Sequence, residues 1–143
     1  MKIQDVIKGK SSGDVVTIAP DAAVRELVAL LAEHNIGAVV VSADGSSVDG
    51  IVSERDVVRR LRDRDDVLSA RVEEIMTARV RTCEPQHDLD ELMALMTEHR
   101  IRHVPVVADG VLVGVVSIGD VVKSRITQLT FERDQLDSYV HGT

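Results

Sequence analysis

The chain has 143 residues, a formal net charge of −7 at pH 7 and very few aromatic side chains. This length suits one domain that buries a core of its own, which must here be aliphatic. The acidic balance argues against binding of duplex nucleic acid, which requires a basic face. A single tyrosine, a single phenylalanine and no tryptophan leave no platform for stacking single-stranded bases.

The single cysteine and the distribution of apolar residues indicate the cellular compartment of the protein. Cys83 alone forms neither an internal disulfide nor a thiolate metal cage, which suits a reducing compartment. The first residues contain no hydrophobic segment of a signal peptide. No apolar run approaches the roughly 20 residues of a membrane-spanning helix. We therefore expect a cytoplasmic protein without a membrane partner.

One sequence pattern occurs twice along the chain. Short apolar lead-ins at residues 3–7 and 72–76 precede the two copies, and residues 9–13 read as a flexible insertion after the first lead-in. Each copy then begins with Thr-x-x-Pro, at Thr17 and at Thr82. Because the unit is duplicated, any functional site is expected twice, around a pseudo-two-fold axis.

A helix is predicted after the proline of each copy. Asp21 and Asp88 are its predicted N-terminal caps, and His34 and His99 are expected near its end, in a structural rather than a metal-binding role. Apolar residues recur at the i, i+3, i+4, i+7 spacing of one helix face: Val24, Leu27, Val28 and Leu31 in the first copy, and Leu89, Leu92, Met93 and Met96 in the second.

Two strands and a second helix complete each copy. Strands are predicted at residues 38–42 and 48–53, and again at 103–107 and 111–117, with Asp-Gly turns between the members of each pair. The second helices are predicted at residues 54–64 and from 118 to about 139. The last helix either packs on its own domain or forms a dimer contact. These elements divide the chain into a first repeat with its lead-in (1–66), a second repeat with its lead-in (67–125) and a helical tail (126–143).

The closing phrase of each copy has the form Gly-h-h-Ser-x-x-Asp, where h is apolar. It contains Ser53 and Asp56 in the first copy, and Ser117 and Asp120 in the second. One interpretation is a helix capping box. The other is a binding site, in which the glycine lets a ligand approach, the helix N-terminus attracts an anion and the carboxylate accepts hydrogen bonds from a ribose, as in dinucleotide-binding folds.

The duplicated unit resembles a tandem pair of cystathionine-β-synthase (CBS) domains, a Bateman module. The resemblance rests on the two Thr-x-x-Pro starts, on the Val-Pro-Val-Val strand that ends at Val107, and on the two closing phrases. It implies an α/β fold of two β-α-β-β-α units that are related by a pseudo-two-fold axis and pack through their sheets, leaving two clefts.

The resemblance also implies a regulatory, non-catalytic protein. Clefts of this family bind AMP, ADP, ATP, S-adenosylmethionine or, in some stand-alone members, NAD. We therefore expect an adenine nucleotide or NAD as a regulatory ligand, with no catalytic cofactor and no metal. The resemblance further implies a homodimer that signals through its own geometry or through a separate effector protein, and no nucleic-acid partner.

The resemblance assigns site residues by position. Asp56 and Asp120 would hold ribose hydroxyls, and Ser53 and Ser117 would contact ribose or phosphate. The remaining positions are Thr17 and Thr82 lining the clefts, Ile18, Ile51 and Val115 flanking the adenine, and the backbone at Gly37, Ala38, Arg102 and His103 on the opposite wall.

The two copies differ in their cationic side chains. Because arginine binds phosphate in a bidentate manner, we expect one cleft to hold phosphate more strongly than the other, which would be weaker, roomier or empty. How the walls of the two copies pair is open at this point. The contrasts are Arg102-His103 against Gly37-Ala38, and Arg55 and Arg59 against Gly119 and Lys123.

Two other functions stay open. One is a nucleotide-processing enzyme that uses Asp56 or Asp120, although no nucleophile and base stand together in the sequence. The other is a ligand-free adaptor or dimerisation module. Cys83 occupies a position where the first copy has Ile18, so a buried apolar role is expected for it rather than a redox role.

Overall fold

The structure, a computed structural model, describes residues 1–9 and 15–142, and its helices and strands form an α/β fold. Of the predicted insertion at residues 9–13, only Gly9 lies within the described residues. In chain order the elements are α1 (Ile3–Lys8), β1 (Thr17–Ile18), α2 (Val24–His34), β2 (Ala38–Val41), β3 (Gly50–Ser53), α3 (Glu54–Asp63), a 3-10 turn (Val67–Ser69), α4 (Val72–Ile75), α5 (Leu89–His99), β4 (His103–Ala108), β5 (Val111–Ser117) and α6 (Ile118–Val140).

Each copy forms a small sheet of its own. In the first copy β1 runs parallel to β2, and β2 runs antiparallel to β3 with Ala38 opposite Ser53. In the second copy β4 runs antiparallel to β5 with His103 opposite Ser117, and Cys83 adds a parallel bridge beside β4. The register is equivalent in the two copies. This arrangement confirms the predicted fold of two β-α-β-β-α units.

Each lead-in helix packs into the core of the other copy. Ile3 and Val6 of α1 are buried in the core of the second copy, where α1 contacts β5 and α6. Val72 and Ile75 of α4 are buried in the core of the first copy, where α4 contacts β3 and α3. The packing therefore crosses the sequence boundary between residues 66 and 67. The division into residues 1–66, 67–125 and 126–143 stays a prediction.

Residues 77–83 connect the two sheets. Thr77 and Ile51 exchange two backbone hydrogen bonds of 2.9 Å, which extends the first sheet beyond β3. At the other end of the segment, Cys83 N–H donates to the carbonyl of Pro105 at 3.0 Å, and Val107 N–H donates to the carbonyl of Cys83 at 2.8 Å. The chain therefore leaves the first sheet at Thr77 and joins the second at Cys83.

The glycines that open the closing phrases make room for the exchanged lead-ins. A Cβ at Gly50 would lie 2.6 Å from Sδ of Met76 and 2.9 Å from the carbonyl oxygen of Thr77. A Cβ at Gly114 would contact the side chain of Ile7 at 3.4 Å. The expectation that the glycine of the closing phrase lets a ligand approach is wrong, because Met76 and Thr77 already occupy the space beside Gly50, and Ile7 occupies the space beside Gly114.

The predicted caps of α2 and α5 are not formed. Helix α2 begins after Ala23, so Asp21 lies outside the cap position. Asp88 does occupy the N-cap of α5 but makes no side-chain cap bond. Its Oδ1 instead accepts a hydrogen bond from Lys2 Nζ at 2.6 Å, which lowers the pKa of the Asp88 carboxyl. The exchange of lead-ins explains the difference, since it brings Lys2 beside the start of α5.

Helix α6 continues well beyond the second core. Val121 is completely buried, whereas every residue from 129 to 142 is exposed. In the described part of the chain, no helix combines the length and the apolar character needed to cross a bilayer.

Candidate ligand-binding cleft

A cleft of about 520 Å³ lies between the two copies. Its wall from the first copy consists of the ends of β2 and β3 and the first turns of α3. Its wall from the second copy consists of the connecting segment at residues 77–81 and the junction between α5 and β4 at residues 99–103. The cleft thus combines one closing phrase with the segment that crosses between the sheets.

Backbone pairing sets the position of these walls. The carbonyl of Gly37 accepts a hydrogen bond of 3.0 Å from Glu54 N–H, which ties the start of β2 to the start of α3. Arg102 and Ile118 make the equivalent bond of 2.8 Å in the second copy. The copies meet where a Cβ at Gly37 would lie 3.7 Å from Cε1 of His103. The question left by the sequence, how the walls pair, is answered for this cleft.

Both closing phrases form capping boxes. Asp56 N–H donates to Oγ of Ser53 at 3.3 Å, and Ser53 N–H donates to Oδ2 of Asp56 at 2.9 Å. Ser53 Oγ–H also donates to Oδ2 of Asp56 at 3.1 Å. In the second copy Asp120 N–H donates to Oγ of Ser117 at 3.1 Å, and Ser117 N–H donates to Oδ2 of Asp120 at 2.9 Å. The capping interpretation of the phrase is therefore confirmed.

The capping box leaves part of the first phrase available to a ligand. The hydroxyl proton of Ser53 is donated to Asp56, so this serine keeps only acceptor capacity. Capping uses Oδ2 of Asp56, and Oδ1 of that carboxylate accepts no hydrogen bond from the described residues. Since Asp56 lines the cleft, its second oxygen is placed to accept from a hydroxyl donor. Capping and ligand binding are thus compatible at one carboxylate.

Six arginines line the cleft, although the whole chain is acidic. Two acids, Glu54 and Asp56, accompany them, so the lining carries a formal charge of +4 with its histidines neutral. Within residues 1–9 and 15–142, none of the six forms an ion pair with a carboxylate. The arginines are Arg55, Arg59, Arg79, Arg81, Arg100 and Arg102.

Arginines elsewhere in the chain behave differently. Arg64 pairs with Asp66 at 2.7 Å, and Arg125 pairs with Asp90 at 3.5 Å. The contrast shows that this chain supplies acidic partners for most of its other arginines. Guanidinium groups that line one cleft repel each other, and an anion with several oxygens would relieve that repulsion. The cleft is therefore suited to a phosphorylated ligand.

The structure brings together more than half of the predicted site residues. The cleft contains Gly37, Ala38, Ile51, Ser53, Arg55, Asp56, Arg102 and His103. Both cationic sets that the sequence contrasts, Arg55 with Arg59 and Arg102 with His103, lie in this same cleft. The assignment of these residues to a ligand stays a prediction.

The other predicted site residues lie outside this cleft. Ile18 is 8% exposed and belongs to the first core, because β1 pairs with the buried strand β2. Thr17 lies beside it on β1, and Thr82 is exposed at the end of the connecting segment. The last three are Val115, Ser117 and Asp120 of the second copy. None of these three residues lines the cleft described here.

Several lining residues were absent from the sequence-based prediction. Arg79 and Arg81 precede Thr82, and Arg100 follows α5. The pattern Arg-x-Arg directly before a Thr-x-x-Pro start is the available signal for the first two. This pattern indicates a ligand-binding role only when it is known that the connecting segment lines the cleft beside the first copy.

Cys83 and the helix-end histidines have the expected positions. Cys83 is 6% exposed, its Sγ lies 3.7 Å from the carbonyl oxygen of Pro105, and burial raises the pKa of the thiol to about 11. His34 and His99 are the last residues of α2 and α5, and His99 also lines the cleft. Among the described residues, no three His, Cys, Asp or Glu side chains are grouped as a metal site.

Comparison with known sequences identifies one family. The sequence profile described as CBS domain matches residues 3–63 and 72–126. The mitochondrial CBS domain-containing protein CBSX3 of Arabidopsis thaliana is 36% identical, over 98% of this chain and 72% of the relative.

Comparison with solved structures gives the same family. A protein with CBS domains from Burkholderia ambifaria MC40-6 is 46% identical, with a TM-score of 0.81 over 89% of this chain and 95% of that one. A CBS domain protein from Pyrobaculum aerophilum, solved as a complex with AMP, is 29% identical. Its TM-score is 0.75, over 84% of this chain and 89% of that one.

Proposed function

Because the chain belongs to the CBS-domain family, we propose that it is a regulatory module that binds an adenine nucleotide in the cleft between its two copies. The observation that carries the proposal is the group of six arginines around Asp56, none of which pairs with a carboxylate among the described residues. The complex of the Pyrobaculum aerophilum relative with AMP supports this choice of ligand class.

The cleft offers a place for each part of a nucleotide. Oδ1 of Asp56 accepts from the ribose hydroxyls while Oδ2 continues to cap α3. Ile51 of β3, which is partly exposed, supplies an apolar surface for the adenine. Guanidinium groups from both copies bind the phosphates, so the ligand bridges the two copies. A bridging ligand stabilises the relative position of the copies in which both walls contact it.

The charge of the cleft discriminates among the expected adenosyl ligands. AMP, ADP, ATP and NAD all carry phosphate, which the arginines bind. S-adenosylmethionine carries a sulfonium cation and no phosphate, so a lining charge of +4 disfavours it. Affinity is expected to fall with added salt, because the arginines are exposed and their attraction is screened.

The second cleft, at Ser117 and Asp120, is proposed as the weaker site. Its helix has Gly119 where the first copy has Arg55, and Lys123 where the first copy has Arg59. Fewer cations next to the phosphate position mean weaker binding of the same nucleotide.

Regulation in this proposal proceeds without chemistry on the ligand. A nucleotide bound between the copies changes the geometry of a homodimer or the surface offered to a separate effector protein. The size of this change is limited by the difference in the nucleotide's affinity for the two conformations of the protein. A cytoplasmic location is proposed from the single cysteine, which suits a reducing compartment; the A. thaliana relative is named as mitochondrial.

Thermal unfolding in the presence of single ligands tests the proposal. AMP, ADP, ATP and NAD should raise the melting temperature by mass action, while adenosine and S-adenosylmethionine should raise it little. Recovery of unchanged nucleotide after incubation distinguishes binding from turnover by an enzyme. If none of these ligands changes the melting temperature, the ligand-free adaptor is the correct function.

A further inference from the structure

The exposed half of helix α6 carries a regular apolar stripe. Apolar residues recur at alternating steps of four and three residues, which is the a/d spacing of a coiled coil. One position of the stripe, Arg133, is charged. The stripe consists of Val122, Ile126, Leu129, Arg133, Leu136 and Val140, and its apolar members are 47–68% exposed.

This stripe is distinct from the face that packs on the protein's own core. Val121 is buried, and Arg125 and Gln128 are half-buried where α6 meets α5. Stripe residues follow these positions by one residue, about 100° around the helix. Beyond Gln128 every described residue of α6 is exposed. The stripe therefore lacks a partner within the described chain.

We propose that the stripe binds the same helix of a second copy, in antiparallel orientation. In that register Val140 of one chain lies against Val122 of the other, and Leu136 lies against Ile126. The start of α6 already carries an apolar groove, formed by Ile118, Val122, Ile126 and their polar neighbours. The end of the partner helix fills this groove.

Charges beside the stripe select the antiparallel orientation. Lys123 and Asp137 occupy e positions, which face each other across an antiparallel pair, so the dimer contains two such ion pairs. The two Glu132 side chains that meet near the dyad have Arg133 of both chains beside them. A parallel pair would instead place Arg133 against its own copy and Glu132 beside Asp137, with repulsion in both cases.

The length of α6 fits an antiparallel pair of these helices. The half of α6 beyond Gln128 is exposed, and the half before it packs on the domain. In an antiparallel pair, the exposed half of each helix runs along the domain-bound half of the other. Each copy thus covers the apolar surface that the other leaves open, and the contact closes with two-fold symmetry.

The mass of the protein in solution, measured by light scattering or sedimentation across a wide concentration range, tests the proposal. Wild type is expected to be a dimer and Leu136→Glu a monomer. Phe131→Glu is the matched control, because Phe131 lies on the same helix outside the stripe and is 62% exposed against 63% for Leu136. A monomeric wild type, or a Leu136→Glu protein that stays dimeric, would overturn the proposal.

Reversal of one charge pair tests the orientation. Lys123→Glu and Asp137→Lys should each weaken the dimer, and the double variant should restore it. The two residues lie about 21 Å apart along one helix, so restoration requires contact between chains. A double variant weaker than both single variants would exclude the antiparallel register. These results do not depend on whether the cleft binds a nucleotide.

Discussion

Asn35 and Arg100 occupy equivalent positions after α2 and α5, and both have a left-handed backbone, with φ of 52° and 54°. Asparagine is among the residues that tolerate this conformation, whereas arginine is strained in it. Arg100 is nevertheless present, and it lines the cleft. Arg100 therefore ends α5 in a strained backbone conformation and places a cation at the cleft.

Replacement of Arg100 by the residue of the other copy separates the two effects. Arg100→Asn should leave the free energy of unfolding unchanged or raise it by up to about 1 kcal/mol, because strain is relieved. Loss of a charged hydrogen bond should weaken AMP binding about tenfold. Chemical denaturation and calorimetry measure the two quantities. A variant with lower stability and full affinity would contradict the assignment of Arg100 to the ligand.

The exchange of lead-ins predicts which copy is destabilised when a buried lead-in side chain is shortened. Ile3→Ala should cost about 2–5 kcal/mol, since Ile3 is completely buried, and the loss of protection should appear in the second copy. Hydrogen exchange should rise in β4, β5 and α5 rather than in β1 to β3. Ile75→Ala, the matched variant in α4, should have the reverse pattern. Equal loss of protection across both copies in each variant would argue against separate cores.

The close approach at Gly50 predicts unequal effects of two alanine substitutions. Gly50→Ala should destabilise the protein by about 1–3 kcal/mol, because its Cβ would overlap Met76 and the backbone of Thr77. Gly114→Ala should cost less, because it contacts only the side chain of Ile7 at an ordinary distance. Thermal or denaturant unfolding measures both. The reverse order would show that the segment at Thr77 yields more easily than the structure indicates.

Burial of Cys83 predicts a loss of stability in alkali. Its pKa is raised to about 11, from an ordinary value of 9.0. The unfolded chain therefore loses this proton at lower pH than the folded chain, so its contribution is complete below about pH 9 and falls as pH rises toward 11. Cys83→Ala should reduce the slope of stability against pH in this range. An unchanged slope would assign the effect to other groups.

Sequence periodicity was sufficient to predict the helices and strands. Val24, Leu27 and Leu31 are buried in α2, whereas Val28, predicted on the same face, is 40% exposed. The closing phrases form the caps that their spacing indicates. The exchange of lead-ins was not predictable, because Ile3-to-Ile7 and Val72-to-Met76 look alike and either core could accept either one. Arg79 and Arg81 therefore remained unidentified, since their place in the cleft depends on that exchange.

Ile18 shows a different limit of position-by-position assignment. A two-residue strand beside a buried one has little exposed surface, and Ile18 is used by the first core. The resemblance supplied its place in the chain but not the direction of its side chain. Asp56, by contrast, lines the cleft, because a cap at a strand end fixes its carboxylate at the helix N-terminus.

Calorimetric titration of AMP into wild type, Asp56→Asn and Asp120→Asn tests the central claim most directly. Asparagine keeps one oxygen for the Ser53 or Ser117 cap but loses the second acceptor. We expect Asp56→Asn to weaken the tighter AMP site about tenfold, and Asp120→Asn to leave that site unchanged. Full affinity in Asp56→Asn, or its loss in Asp120→Asn alone, would contradict binding in the arginine-lined cleft.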